Sequence, residues 1–372
     1  MYKFYDVKNK LWDNLRKYDL LRIFRGEKRK NGLRRGRNKF FYIFIIAVIC
    51  FTMSYCLTNY QYTESGRVID YDKIDMMISD CWLNLGMLEE EDTSSMDIDK
   101  LVEHKNSIQN YKNDIELLNA LKEKKLDGED YTVILANGTS LVSMGTDSFA
   151  YKAMYNSGIT GFLGILIALF CAISVSNVFG AEYFEGTAKL MLTKPAKRSV
   201  LYFAKLGVVV RDAFIYCLLG YLTMLFVIWS SIGLDFVDIF AYFGSPSIIT
   251  AGEQVVGFFF NIFIAALFFV TLASMVSIMT KSKIISIIVV LMLTQIGIIP
   301  QVQDLMLQIG VSSIGMYNAI FLSSIDLNQY MAFSQNIVEG TSYTISLLVL
   351  LAYITAFVAA GLLCFKKQRA VK

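Results

Sequence analysis

Residues 182–198 read EYFEGTAKLMLTKPAKR, a basic amphipathic segment set between two long apolar runs. In a soluble protein the same letters would carry little meaning, so the flanking runs decide what they are. Hydrophobic residues make up 55% of the 372 and charged residues only 18%, with a mean hydropathy of +0.47. A soluble globular chain carries about 25% charged residues. The balance suits a chain built for lipid and predicts an all-α polytopic membrane protein.

Crossing the hydrocarbon core takes about 20 mostly apolar residues. Stretches near 40–58, 158–179, 206–232, 254–280, 284–300 and 343–365 qualify, so six transmembrane helices are expected. The fifth is short, interrupted by Gln295 and Gly297 and closed by Pro300. It reads either as a tilted span or as a partly re-entrant segment.

Lys and Arg favour the cytoplasmic side. Residues 1–39 hold 14 Lys+Arg against 4 Asp+Glu, whereas residues 59–157 hold 9 against 19. Five basic residues lie in 180–205, Lys281 and Lys283 separate spans four and five, and the 366–372 tail carries Lys366, Lys367, Arg369 and Lys372. Loops 233–253 and 301–342 have no basic residue. Six spans with both termini cytoplasmic satisfy the rule at every connection. The amino terminus does not read as a cleaved signal, because its charged region is too long and no Ala-x-Ala site follows the apolar run. Leu11, Trp12, Leu15, Tyr18 and Leu21 recur at helical spacing among basic residues. That pattern suits an interfacial helix on the inner leaflet, or an ordinary topogenic basic tail. Nucleic-acid binding is not expected from one membrane-adjacent basic run.

Residues 59–157 are too polar for another span and long enough to fold separately, as a mainly helical extracytoplasmic domain. Ile74, Met77, Ile78, Cys81, Trp82 and Leu85 mark one amphipathic helix, and Leu101, His104, Ile108, Tyr111, Ile115 and Leu118 a second. Steps of three and four are the seam of two helices packed lengthwise, so a helical hairpin turning at Glu89–Asp92 is expected. His104, the only histidine, reads as a register-fixing polar residue at the seam rather than a pH switch. With one histidine, a multi-histidine metal centre is excluded. Residues 131–144, YTVILANGTSLVSM, read as a short β-hairpin about Asn137-Gly138. Cys50, Cys56, Cys171, Cys217 and Cys364 fall in spans and Cys81 alone outside, so no disulfide is expected.

The 182–198 loop is thus expected on the cytoplasmic side. Gly186 permits a change of direction, Thr187 can cap a short helix and Pro195 stops it. Leu190, Met191 and Leu192 offer an apolar surface. Lys197, Arg198 and Lys205 are placed to reach lipid phosphate. The run E-x-x-E-G-T-x-x-x-x-L-x-x-P-x-x-R followed by Lys205 resembles the membrane-spanning permease subunit of ABC type-2 exporters. Glu182, Glu185, Gly186, Thr187, Leu192, Pro195, Arg198 and Lys205 carry the resemblance, and the topology agrees along nearly the whole chain.

The resemblance implies a coupling helix docked on a separate ABC ATP-binding subunit, with Leu190, Met191 and Leu192 forming the contact. ATP and Mg would then be held by that partner and no cofactor by this chain, which has no G-x-x-x-x-G-K-[ST] motif of its own. Six spans are half of the usual twelve-span pore, so pairing with a second permease chain, identical or similar, is implied. Gly158, Gly161 and Gly164 supply a small-residue strip for close packing.

Polar residues inside spans are candidate substrate-path positions: Asn261, Thr271, Ser274, Thr294 and Gln295. Interhelical hydrogen bonding accounts for them at least as well. Arg211 and Asp212 read as near enough to the inner surface to snorkel. Glu253 and Gln254 are candidates for an outer gate. Segment 301–342 suits an outer re-entrant element, and the resemblance implies that it closes the outer end of the path. The aliphatic and aromatic bundle suits an amphipathic cargo such as a peptide, lipid or drug, with ion extrusion as a variant. The competing class is a membrane receptor whose external hairpin binds a ligand. Catalytic constellations are missing, so the chain reads as a transport subunit and not an enzyme.

Overall fold

The computed structural model describes residues 23–26, 39–59, 67–68, 70, 73–93, 96, 98–124, 131–135, 140–142, 157–185, 197–232, 238–242, 245–296 and 343–367. The basic segment before residue 23, positions 186–196 and the 301–342 segment lie outside them. Helices α1 (Lys39–Asn59), α2 (Ile74–Glu89) and α3 (Ile98–Lys124) are followed by α4 (Ser157–Val175), whose axis runs on through a π-helical turn (Ser176–Gly180) into α5 (Ala181–Phe184). Then come α6 (Arg198–Ile232), α7 (Ala251–Thr280), α8 (Lys283–Ile296) and α9 (Tyr343–Lys367). Five strands complete the chain: β1 (Arg67–Val68), β2 (Tyr131–Ile134), β3 (Ser140–Val142), β4 (Asp238–Tyr242) and β5 (Pro246–Ile249).

Among the described residues four helices are long and apolar enough to cross a membrane: Leu163–Phe184, Arg198–Ser230, Gly252–Thr280 and Tyr343–Lys367. Shorter apolar stretches occupy Tyr42–Ser54 in α1 and Lys283–Thr294 in α8. The protein is therefore a mainly helical membrane protein. The Leu163–Phe184 helix is its axis, with 72% of its most apolar stretch buried, against 11% of that of α9. Rings interlock α1, α4 and α6: Phe44 lies 5.1 Å from Phe170 and 5.3 Å from Tyr216, centroid to centroid. Gly220 makes this possible, since a Cβ there would come 2.9 Å from the Phe44 ring. Nothing lies within 4 Å of a Cβ built on Gly164, so that position of the expected glycine strip has no close neighbour.

α2 and α3 form the expected antiparallel hairpin. Ile74, Cys81 and Leu85 pack against Ile115, Leu117, Leu118 and Leu121. Lys122 pairs with Asp75 at 2.5 Å, Lys112 with Glu89 at 3.0 Å, and His104 Nδ1 with Glu91 at 3.4 Å. The two lysine pairs are exposed on both sides and worth about 0–1 kcal/mol each, so they set register while the apolar seam supplies stability. Trp82, expected at the seam, is 57% exposed, because its i+1 offset from Cys81 turns it about 100° away from the core.

Alongside the helices stands a sheet of order β1-β3-β2-β4-β5. The β2–β3 hairpin is the one expected from 131–144, with Ile134 opposite Ser140. The β4–β5 hairpin comes from the connection between α6 and α7, and β4 pairs in parallel with β2, Val133 opposite Phe240. Val133 and Phe240 are fully buried in the same core as the α2–α3 seam. The domain between α1 and α4 is thus completed by a piece of chain roughly a hundred residues further on.

Candidate functional site

The 182–198 element joins α5 to α6 at the bundle end remote from the sheet. Glu182 closes one apolar helix and Lys205 lies two turns inside the next, so the antiparallel arrangement brings them face to face. Lys205 Nζ stands 2.8 Å from Glu182 Oε2, with side chains 1% and 3% exposed. The ammonium also donates to the Val178 carbonyl at 2.8 Å and lies 5.7 Å from the centre of the Phe179 ring. Lys205 is therefore sealed inside the bundle instead of reaching lipid phosphate, because a carboxylate, a carbonyl and a ring together replace its water.

A second polar rung joins the same two helices. Ser174 Oγ donates to Asp212 Oδ2 at 2.8 Å, and Arg211 donates to Asp212 Oδ1 through Nε at 3.1 Å and through Nη2. Asp212 is 1% exposed and Arg211 28%, and the guanidinium is turned onto Asp212 with Nη1 buried, so neither residue snorkels as expected. Residues 205 and 212 lie about 11 Å apart along the helix axis. Removing an ion from water costs several kcal/mol unless a partner compensates, and each rung supplies that partner.

Between the rungs sits the π turn, where Ala181 N–H donates to Ser176 O, five residues back. Such turns widen a helix and recur at functional positions. Gly180 within it abuts the junction of α7 and α8. A Cβ there would lie 2.8 Å from Lys283 Cα and 3.1 Å from Ser277 Oγ. The junction is itself tight, since Lys281 adopts φ 52, the left-handed conformation that ends α7.

Neighbouring residues extend the contact to α9. Tyr202, fully buried, donates to the Val358 carbonyl at 3.1 Å. Gly361 leaves room for its hydroxyl. Arg198 Nη1 donates to the Lys366 carbonyl at 2.7 Å, satisfying the open end of α9. The loop end of α6 thus touches α4, α7 and α9.

Of the coupling residues read from the sequence, Glu182 and Lys205 meet, Arg198 instead bonds the end of α9, and Glu185 is exposed at the close of α5. Gly186, Thr187, Leu190, Leu192 and Pro195 lie outside the described residues. Of the path candidates, Asn261 accepts from the Tyr343 hydroxyl at 2.8 Å. Thr271 donates to the carbonyls of Leu267 and Phe268, Ser274 to that of Thr271, and Thr294 to that of Leu291. The Gln295 side chain is outside the described residues. Glu253 forms a capping box with Thr250 at the start of α7, and Gln254 donates to the Ile249 carbonyl at 3.1 Å. The rungs themselves were not anticipated. Their signal was a carboxylate and an amine, each near the end of an apolar run and separated by one loop.

The family described as Protein of unknown function (DUF2705) matches residues 133–369. That is well over half of the chain, which belongs to this family. No curated protein matches it.

Proposed function

We propose that this DUF2705 chain is the membrane-spanning permease subunit of an ATP-driven exporter. It moves an amphipathic cargo outward, driven by a separate ATP-binding subunit docked on 182–198. That subunit holds the ATP and Mg, and a second permease chain completes the pore. The observation that carries this reading is the buried Glu182–Lys205 pair. A push on the loop between those residues is delivered at once to α4 and α6, and through Tyr202 and Arg198 to α7 and α9.

The connections also favour six spans with both termini cytoplasmic in the plasma membrane. β2 and β4 share a sheet, so the chain between them returns to its starting side, as two crossings by α4 and α6 require. Arg198 at the start of α6 touches Lys366 at the end of α9, so an even number of crossings separates them as well. α6, α7 and α9 make three. Six spans require a fourth crossing between Lys281 and Tyr343, and α8 covers about 21 Å of a core about 30 Å thick.

Affinity purification of the tagged chain in mild detergent, with mass spectrometry and an ATPase assay, tests the proposal. A stoichiometric ATPase that is lost together with turnover on Leu190→Asp/Leu192→Asp substitution is expected. Recovery of the intact chain without an ATPase would remove the reading. The receptor alternative draws on the sheet, which ties the external domain to the α6–α7 connection, and would then lead. For ion extrusion the geometry offers less, because Glu182 and Asp212 are each held by a cation.

A further inference from the structure

The face of α2 turned away from its core is apolar where a solvated helix should be polar. Met76, Trp82, Leu83 and Met87 are 63%, 57%, 59% and 62% exposed, although the opposite face already packs on α3. A helix that is hydrophobic all round is normally buried on every side, and contiguous apolar surface of this kind marks an interaction site.

The spacing is ordered. Met76, Asp80, Leu83, Met87 and Glu90 follow steps of four and three along one row, with Asp75, Ser79, Trp82, Gly86 and Glu89 in the adjacent row. All ten are exposed. The two rows form a shallow face with large apolar groups at its centre, small Ser79 and Gly86 beside them, and carboxylates at both ends. α2 carries no basic residue. Lys122 and Lys112 of α3 reach Asp75 and Glu89, but among the described residues no ion pair reaches Asp80 or Glu90.

We infer that this face binds a cationic amphipathic helical peptide, whose apolar stripe lies on Met76, Leu83 and Met87 and whose Lys or Arg residues meet Asp80 and Glu90. Charge selects this occupant. Residues 59–157 carry 19 acidic and 9 basic residues, so a cationic ligand is drawn to the domain, whereas a second copy of the same face would set acid against acid. The row pattern is the one into which a helix with its own three-four stripe docks. Unlike the pump, this site needs no ATPase and stands whether the chain exports or senses its ligand.

The full chain in phosphatidylcholine nanodiscs, with Trp12→Phe and Trp229→Phe leaving Trp82 as the reporter, is titrated with an 18-residue Leu/Lys amphipathic helix. A Leu/Glu helix serves as the control. A saturable blue shift with the Lys peptide alone is expected, at least tenfold weaker in Met76→Ser/Leu83→Ser/Met87→Ser. Asp80→Asn/Glu90→Gln, which leaves the apolar row intact, is expected to weaken binding severalfold and to reduce its salt dependence. An unchanged Trp82 spectrum, equal binding of the Glu peptide, or full affinity in the triple variant would overturn the inference. So would a change of oligomeric mass in the triple variant, which would assign the face to a second copy, or a Trp82 emission already fully blue-shifted without peptide, which would assign it to another part of the chain.

Discussion

Lys205 shows how one side chain fixes the end of the bundle remote from the sheet. Its ammonium has exchanged water for Glu182 and the Val178 carbonyl, so deleting the amine strands a carboxylate in a dry site. Lys205→Met is expected to cost about 3–5 kcal/mol, the usual penalty for breaking a buried pair. Glu182→Leu/Lys205→Met, which leaves no charge behind, is expected to recover most of it. Thermal unfolding in detergent, followed by the monodisperse fraction on size exclusion, reads both variants; a double variant no better than the single one would refute the account. Cys81 makes the opposite case, a group silenced by its surroundings. Burial first, then the charges of Asp114 and Asp80, push its thiol up to about 11 from 9.0. A two-unit rise lowers the thiolate fraction about 100-fold, and the thiolate is the species that reacts. At pH 7.4 Cys81 is therefore expected to alkylate at least 100-fold more slowly than a cysteine introduced by Ser79→Cys. The raised value makes the folded form bind the proton more tightly than the unfolded one, so the contribution to stability is complete below about pH 9 and falls between about 9 and 11.

At the scale of elements, the π turn and the α7–α8 junction meet with no space to spare. Gly180→Ala would place a methyl 2.8 Å from a backbone atom of Lys283, and overpacking of that sort costs about 1–3 kcal/mol. Gly164→Ala is its control. It meets nothing within 4 Å and gains up to about 1 kcal/mol of helix propensity. A lower Tm for the first and an equal or higher Tm for the second are expected; equal losses would show that the close approach does not matter. Elements with strong periodicity were legible in the sequence. The α2–α3 hairpin, its acidic turn and the β2–β3 hairpin all follow from spacing and turn residues. The rungs were not, because spacing along one helix says nothing about which residue of another helix lies opposite. Asp212 illustrates the difference: nothing in its own helix marks Ser174 of α4 as the residue that donates to it. Nor was the β4–β5 hairpin legible, since Asp238–Tyr242 and Pro246–Ile249 sit in the short connection from α6 to α7, whose strand character depends on β2 being there to pair.

For the whole molecule, chain connectivity restricts the path more tightly than hydropathy does. Tyr343 binds Asn261 near the sheet end of α7, and Lys366 meets Arg198 at the far end, so α9 runs from the sheet end to the loop end. α7 runs the same way, beginning directly after β5 and ending at Lys281. The proposed six-span topology therefore needs a crossing back between Lys281 and Tyr343. With the six native cysteines replaced by alanine, Lys281→Cys is expected to react with a membrane-impermeant maleimide only from the side that labels Lys197→Cys. Thr344→Cys is expected to react only from the side that labels Ser245→Cys. Right-side-out and inverted vesicles separate the two. Labelling of positions 281 and 344 from one side would mean that α8 and the following segment form a re-entrant loop with no net crossing. In that event α7 and α9 could not both run from the sheet end to the loop end across the same bilayer, and the six-span topology would fall with them.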